Sequence, residues 1–203
     1  MKLLKRSVIC FAAVFLLSFP TTAYLCGEER WAVKVAQDQH IKYLFQGYDI
    51  RTHRLIAPRE TTIAELHRWA WPFGDRKKPP KWAEDMRSRS KAEYQIWTIT
   101  ATLTEKLTES DEDYHLVLTS GTRTLVAEIP NPDCLVDTPQ PLRGMITKAR
   151  ADFDGWWSRR RRGALNQPVR VTGIGMFDTL GHATGTSPNG IELHPVIAIE
   201  FLR

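Results

Sequence analysis

From Trp97 to Thr104 the chain alternates without a break, with Trp97, Ile99, Ala101 and Leu103 set against Thr98, Thr100, Thr102 and Thr104. Strand side chains repeat every two residues, so this pattern predicts a half-buried strand with threonines outside. Tyr114 to Thr119 and Thr122 to Ile129 follow as a hairpin around Ser120-Gly121. With that turn, Thr119 faces Thr122, His115 lies opposite Val126 and Asp113 opposite Glu128. One face then carries His115, Val117, Val126 and Glu128. The other carries Tyr114, Leu116, Leu118, Leu125, Ala127 and Ile129, and is the core face. Pro130-Asn131-Pro132 ends the hairpin. Leu142, Met145/Ile146, Ala149, Phe153 and Trp156/Trp157 recur at helical spacing, predicting a helix from Pro141 to about Trp157. Two more strands are expected from Val169 and in the last stretch. In the last, Ile191, Leu193, Pro195, Ile197 and Ile199 face one way, and Glu192, His194 and Glu200 the other.

Upstream the pattern is weaker. Glu29 to Ala36 alternates Trp31, Val33 and Val35 and reads as a short strand. Gln37 to Phe45 reads as a short helix. Thr62-Ile63-Ala64-Glu65 has capping-box spacing and opens a helix to about Trp69. Residues 72–93 are charged and broken by prolines, which suggests a linker or exposed loop. Strand, strand, strand, helix, strand, strand is the order of a five-stranded OB-fold barrel with a helix between strands 3 and 4. The expected class is therefore mainly β, OB-fold-like, over residues 94–203. A small α/β extension over 24–71 precedes it.

Residues 1–23 read as a secretory signal peptide. Lys2, Lys5 and Arg6 form a basic start, Ser7 to Phe19 is nearly all apolar, and Thr21-Thr22-Ala23 offers small residues for cleavage. The apolar run falls short of the ~20 residues a membrane span needs. Its loss leaves 25 basic and 23 acidic residues, a net charge of +2, where the whole chain has 28, 23 and +5. Broad attraction to nucleic acid or membrane is thereby weakened, and no membrane span is expected after cleavage. Cys10 leaves with the signal. Cys26 and Cys134 remain, and two cysteines in an exported chain are most simply one disulfide, the alternative being two free thiols. The location read from these features is the bacterial periplasm or the exterior.

The candidate chemistry gathers in the second half. Glu192-x-His194 puts a carboxylate and an imidazole on one strand face; Asp178 and His182 lie in the loop before it, and His115 on the hairpin. Mixed imidazole and carboxylate ligands suit zinc or manganese, so His182, Glu192 and His194 are candidate metal ligands. His40, His53 and His67 are too dispersed for a local motif and are read as surface or packing residues. Trp156, Trp157, Arg159, Arg160, Arg161 and Arg162 join aromatic faces to positive charge, a pairing suited to single-stranded nucleic acid, anionic glycans or headgroups. An amphipathic helix end, with tryptophans packed and arginines in water, produces the same pattern. No Gly-x-Ser-x-Gly turn is present, and Gly173-x-Gly175 sits inside a strand, where glycines let a barrel bend.

WTITATLTEKLTESDEDYHLVL, AEIPNPDC, KARADFD, VRVTGIGMFD and GHATGTSPNGIELHPV resemble a family of uncharacterised exported bacterial proteins. The resemblance covers roughly the last half of the chain; it implies export and kinship, and no particular activity. A weaker one is to the staphylococcal-nuclease type of OB-fold, whose carboxylates bind a divalent cation and whose arginines neutralise phosphate. It would place Asp111 and Asp113 in the acidic turn, Arg123 and Glu128 on the third strand, and Val136-Asp137-Thr138-Pro139-Gln140 at that family's Asp-Thr-Pro-Glu. Gln140 stands where the base would be, and the last strand's face carries no arginine. Two functions follow as expectations. The first is a non-enzymatic OB-fold module that binds an extended oligosaccharide, oligonucleotide or envelope partner across the barrel face. The alternative is a divergent metal-dependent nuclease or phosphodiesterase using Asp113, Glu128 and His115. An enzyme should converge its carboxylates on one cation; a binder should show aromatic and basic residues along a groove.

Overall fold

The computed structural model describes residues 26, 30–46 and 54–203; the expected signal peptide and His53 lie outside them. Six strands form: β1 (Arg59–Thr61), β2 (Ile96–Thr108), β3 (Tyr114–Ser120), β4 (Arg123–Ile129), β5 (Gln167–Phe177) and β6 (Ile191–Phe201). The last five close into a barrel in the order β2-β3-β4-β6-β5, with β5 returning to β2. This is the OB-fold path. β2 makes closure possible by being long: Ile96 to Leu103 pair with β5, while Thr102 to Thr108 pair with β3. The short β1, which no sequence pattern announced, adds in parallel at Trp97 to Ile99.

Inside the barrel sit the expected alternating residues: Trp97, Ile99, Ala101 and Leu103 from β2, Leu116 and Leu118 from β3, and Leu125, Ala127 and Ile129 from β4. The helix α3 (Leu142–Arg159) lies between β4 and β5 in the chain. Its Ala149 and Phe153 enter the barrel core, whereas Leu142 and Ile146 join a second cluster with Val35, Ala36, Leu44, Phe45 and Ile174. One helix stripe thus ties barrel to N-terminal cover. Cys26 and Cys134 form a disulfide with Cα atoms 5.7 Å apart, clipping the start of that cover to the turn before α3.

Several expectations are corrected. The stretch read as a strand at 29–36 is a short helix, α1 (Trp31–Lys34), bounded by left-handed Arg30 and Ala36. Val33, Lys34, Val35 and Ala36 are all buried in succession, so burial does not follow the alternation of the sequence. The hairpin turns at Gly121-Thr122, so Ser120 faces Arg123 and His115 faces Glu128. The register is two residues from the expected one, and because the shift is even every side chain keeps its face. On β6 the expected single apolar face breaks at a bulge: Val196 and Ile199 enter the barrel core while Ile197 joins the second cluster. Residues 72–93 are not simply exposed. Arg87, Ser88, Ala92 and Glu93 are buried there, although Trp82 is open to solvent. α2 (Ile63–Leu66) carries the predicted capping box between Thr62 and Glu65 but stops sooner than expected.

Gly173 and Gly175 flank the register shifts of β5. A Cβ on Gly175 would lie 2.1 Å from the Ala92 carbonyl oxygen and 2.9 Å from the Trp97 indole nitrogen, so the 3-10 turn at Lys91–Tyr94 can pack only against a bare backbone. That close approach places Glu93 in the interior. Arg30 reaches the same place, bonding Glu93 Oε1 and the Phe177 carbonyl at 2.5 Å each and the Ala83 carbonyl at 3.0 Å. Arg87 pairs with Asp38 at 2.9 Å. Buried ion pairs therefore fasten the N-terminal segment and the 80–95 stretch to the end of β5.

Candidate functional site

β3, β4, β6 and the β2–β3 turn aim ionisable side chains at one place outside the barrel core. The parity of β3 and β4 puts His115 and Glu128 on the outer face, directly opposite one another. β6 presents Glu192 and His194, two residues apart and so on one side. The β2–β3 turn contributes Asp113, whose backbone nitrogen donates to Asp111 Oδ1 at 3.1 Å. The sequence-predicted residues Asp113, His115, Glu128, Glu192 and His194 are thereby brought together, each 0–4 % exposed.

Glu128 is the centre. Its Oε1 lies 2.6 Å from His115 Nδ1 and its Oε2 2.9 Å from His194 Nδ1. His194 Nδ1 is also 3.2 Å from Glu192 Oε1, and His194 Nε2 is 3.4 Å from Asp113 Oδ2. Asp113 Oδ1 accepts from the Asn131 backbone at 2.6 Å, but Asp113 Oδ2 and His194 Nε2 have no hydrogen-bond partner. At one flank Glu109, 36 % exposed at its side chain, reaches His115 Nδ1 at 3.2 Å. At the other, Asp178 meets Lys34 at 3.6 Å and His182 Nε2 at 3.9 Å, and His182, 27 % exposed at its side chain, faces solvent.

Electrostatics follow from crowding carboxylates with imidazoles out of water. Burial alone would strip the proton from His194, but Glu128 foremost, with Asp113 and Glu192, holds it on well above the ordinary imidazole range. His115 is likewise held up at about 9: burial opposes, and its bond to Glu128 prevails. The two imidazoles pull Glu128 well below the ordinary carboxylate range against its burial. Glu192 moves up, first because it is buried and then because Glu128 is charged beside it. The cluster thus holds more carboxylate than its imidazoles and Lys34 balance comfortably.

This cluster does not include the arginine of the nuclease-like reading. Arg123 sits exposed at the hairpin end, five residues along β4 from Glu128, roughly 17 Å at strand spacing. Thr138, in the Asp-Thr-Pro-Gln stretch, donates to the Val35 carbonyl at 2.7 Å, and Gln140 accepts from Gly144 at 3.3 Å. That stretch anchors the N-terminal cover and the start of α3.

The chain itself covers the outer face of β3 and β4. His115 Nε2 bonds the Thr184 carbonyl at 2.8 Å, and Gly185, with φ of +83°, lies on Val117 so closely that a Cβ would be 2.6 Å from its methyl. Extended ligands thus meet a face already filled by the 178–190 loop. The Trp156, Trp157 and arginine group lies elsewhere. Trp156 stacks on Phe201 at 4.2 Å and Trp157 on Phe153 at 5.7 Å, while Arg160 lies over Trp157 at 4.6 Å. Arg159, Arg161 and Arg162 are exposed.

An open cleft that no motif singled out runs between β1, α2 and β2. It measures about 410 Å³ and is lined by Arg59, Glu60, Thr61, Glu65, Arg68, Trp69 and Trp97. Trp97 forms the floor, Trp69 tilts beside it at 6.3 Å, and the Arg59 guanidinium lies 5.7 Å over Trp97. Glu60 pairs with Arg170, and Glu65 is spent on the α2 cap.

No protein-family model matches the chain, and no curated protein matches it. Among solved structures it is similar to a crystal structure provisionally described as an aspartyl-tRNA synthetase from Leishmania major Friedlin, at 18 % identity and a TM-score of 0.39. The match covers 71 % of this chain and 21 % of that one. No helix among the described residues is long and apolar enough to cross a membrane, and the disulfide fits an oxidising compartment.

Proposed function

We propose that this chain is an exported, non-enzymatic OB-fold binding module that takes an extended ligand in the β1–α2–β2 cleft. The observation that carries the reading is the cleft wall: the half-buried face of Trp69 beside Arg59 and Arg68, with the neighbouring carboxylates already engaged. Aromatic faces stack on planar or flat ligand surfaces, and guanidinium groups fork onto carboxylate, sulfate or phosphate. An acidic oligosaccharide fits that wall. An oligonucleotide could stack on the same ring, but a mature charge of +2 supplies little long-range attraction. The secretory-type leader, the family resemblance and the disulfide support export.

The phosphodiesterase reading is supported by the convergence of Asp113, His115 and Glu128, and opposed by their burial, since a polymeric phosphodiester would have to displace the 178–190 loop to reach them. Titration of the purified chain with acidic and neutral oligosaccharides and with matched single-stranded DNA and RNA, followed by tryptophan fluorescence, tests the binding reading. Quenching by an acidic oligosaccharide, weakened at least about tenfold in Trp69→Ala and Arg68→Ala, is the expected result. Binding that survives both substitutions would move the ligand elsewhere, and metal-dependent cleavage of the nucleic acids would replace this reading with the enzymatic one.

A further inference from the structure

We propose that Asp113, Glu128 and His194 form a buried site for one divalent first-row cation, zinc or manganese. The proposal stands apart from the cleft and its ligand. Each of the three residues offers a ligand atom, and these atoms lie within 4.8 Å of one another. All three side chains are buried, and two atoms in the group, Asp113 Oδ2 and His194 Nε2, have no hydrogen-bond partner. The two meet only as a long ion pair, and buried polar atoms without a hydrogen bond are costly.

Their spacing is informative. Asp113 Oδ2 and His194 Nε2 face each other at 3.4 Å, too far for a good hydrogen bond and too close for a bridging water. Zinc bonds to nitrogen and oxygen of about 2.0–2.1 Å, at a tetrahedral angle, put two ligand atoms about 3.4 Å apart. The gap therefore matches a metal bite at Nε2, and Glu128, which meets the same ring from its other edge at Nδ1, 2.9 Å away, has to turn from that contact to complete the set. Charge points the same way. The contiguous group holds carboxylates from Asp113, Glu128, Glu192, Asp178 and Glu109 against His115, His194, His182 and Lys34. The excess is a single carboxylate, and Glu109 and His182 are partly exposed, so a divalent cation would offset it only in part through burial. One imidazole with two carboxylates, and no sulfur, is a donor set of intermediate hardness that suits zinc or manganese. His115 then acts as a positioning residue. Its Nε2 is tied to the Thr184 carbonyl, and its Nδ1 orients Glu128 through the 2.6 Å contact, as outer partners of metal ligands do. The Asp178, His182 and Glu192 triad, more open at His182, is the neighbouring alternative that the test must separate.

The full oxidised chain, freed of metal by chelator, is titrated with zinc chloride or manganese chloride by calorimetry, with elemental analysis of the product. One cation per chain is expected. Asp113→Asn and His194→Gln should each weaken binding by more than about 100-fold, while His182→Gln leaves it in place. X-ray absorption of the zinc-loaded wild-type chain covers the case in which those variants fail to fold: a nitrogen/oxygen shell with one imidazole and no sulfur is expected. Absence of stoichiometric binding to the wild-type chain, loss of binding in His182→Gln alone, or a shell with two or more imidazoles overturns the proposal.

Discussion

Glu93 shows how much one side chain can hold in this molecule. Its carboxylate takes Arg30 at 2.5 Å and the Phe177 backbone nitrogen at 2.9 Å, and it also accepts from Ser88. Burial would raise its pKa, but Arg30 together with these donors brings it below the ordinary glutamate value of 4.5. A carboxyl lowered in the folded state contributes stability that is complete above the unfolded value. It is lost as pH falls through the lower, folded one. Glu93→Gln should therefore flatten the acid limb of a stability–pH profile below pH ~4.5. At neutral pH it should cost about 3–5 kcal/mol, because Arg30 is left charged and buried. Urea melts across pH 3–7 read both effects, and an acid limb as steep as wild type would count against this role for the pair. None of this was visible in the sequence, where Glu93 and Arg87 sit in a stretch whose prolines and charges read as solvent-exposed. Composition reports the average habit of a residue type, and a paired buried charge departs from it.

At the scale of elements, the loop from 178 to 190 matters most, because it fills the outer face of β3 and β4. Gly185 permits that contact through its positive φ and its missing side chain. Gly185→Ala should lift the loop from Val117, raising amide exchange across residues 178–190 and at His115, while far-ultraviolet circular dichroism keeps its barrel signal. Unchanged exchange would mean that the loop is held by its other contacts. The barrel strands were legible because alternation over a long run is a strong signal, as in the eight residues from Trp97 to Thr104. The outer face of the hairpin was legible too: a register error of two residues kept His115 with Glu128 on one side. Shorter patterns misled. The spacing of Trp31, Val33 and Val35 imitated a strand where the chain makes one helical turn, and the β6 bulge moved Ile197 out of the face that strict parity assigns it. Asp113 and Glu128 were read together on the hairpin but His194 apart from them, since a two-residue period fixes the face of each strand and not which strands become neighbours. The cleft was less legible still, because β1 has three residues and Trp69 follows a helix of one turn.

Across the whole molecule, the Cys26–Cys134 bridge spans 108 positions of sequence. Closing so long a loop in the unfolded chain is worth roughly 4–5 kcal/mol in the chain-entropy view. Replacing both cysteines by serine should lower stability by about that amount, with the barrel intact and the loss concentrated in the cover packed on α3. Thermal melts of oxidised wild type and the double variant check the magnitude, and tryptophan fluorescence checks the barrel.

The buried anchor of Arg30 also governs how the chain reaches its final form. The arginine bonds the carbonyl of Phe177, 147 positions downstream, and Glu93 holds the nitrogen of that same residue. The first described segment therefore has nowhere to settle until β5 exists, and β5 cannot close without β2 and β6. Nearly every decisive contact joins distant parts of the chain, so assembly is dominated by the entropy of closing large loops. Its speed should lie at the slow end for domains of this size. The last event to finish should be the seating of the segment around Arg30.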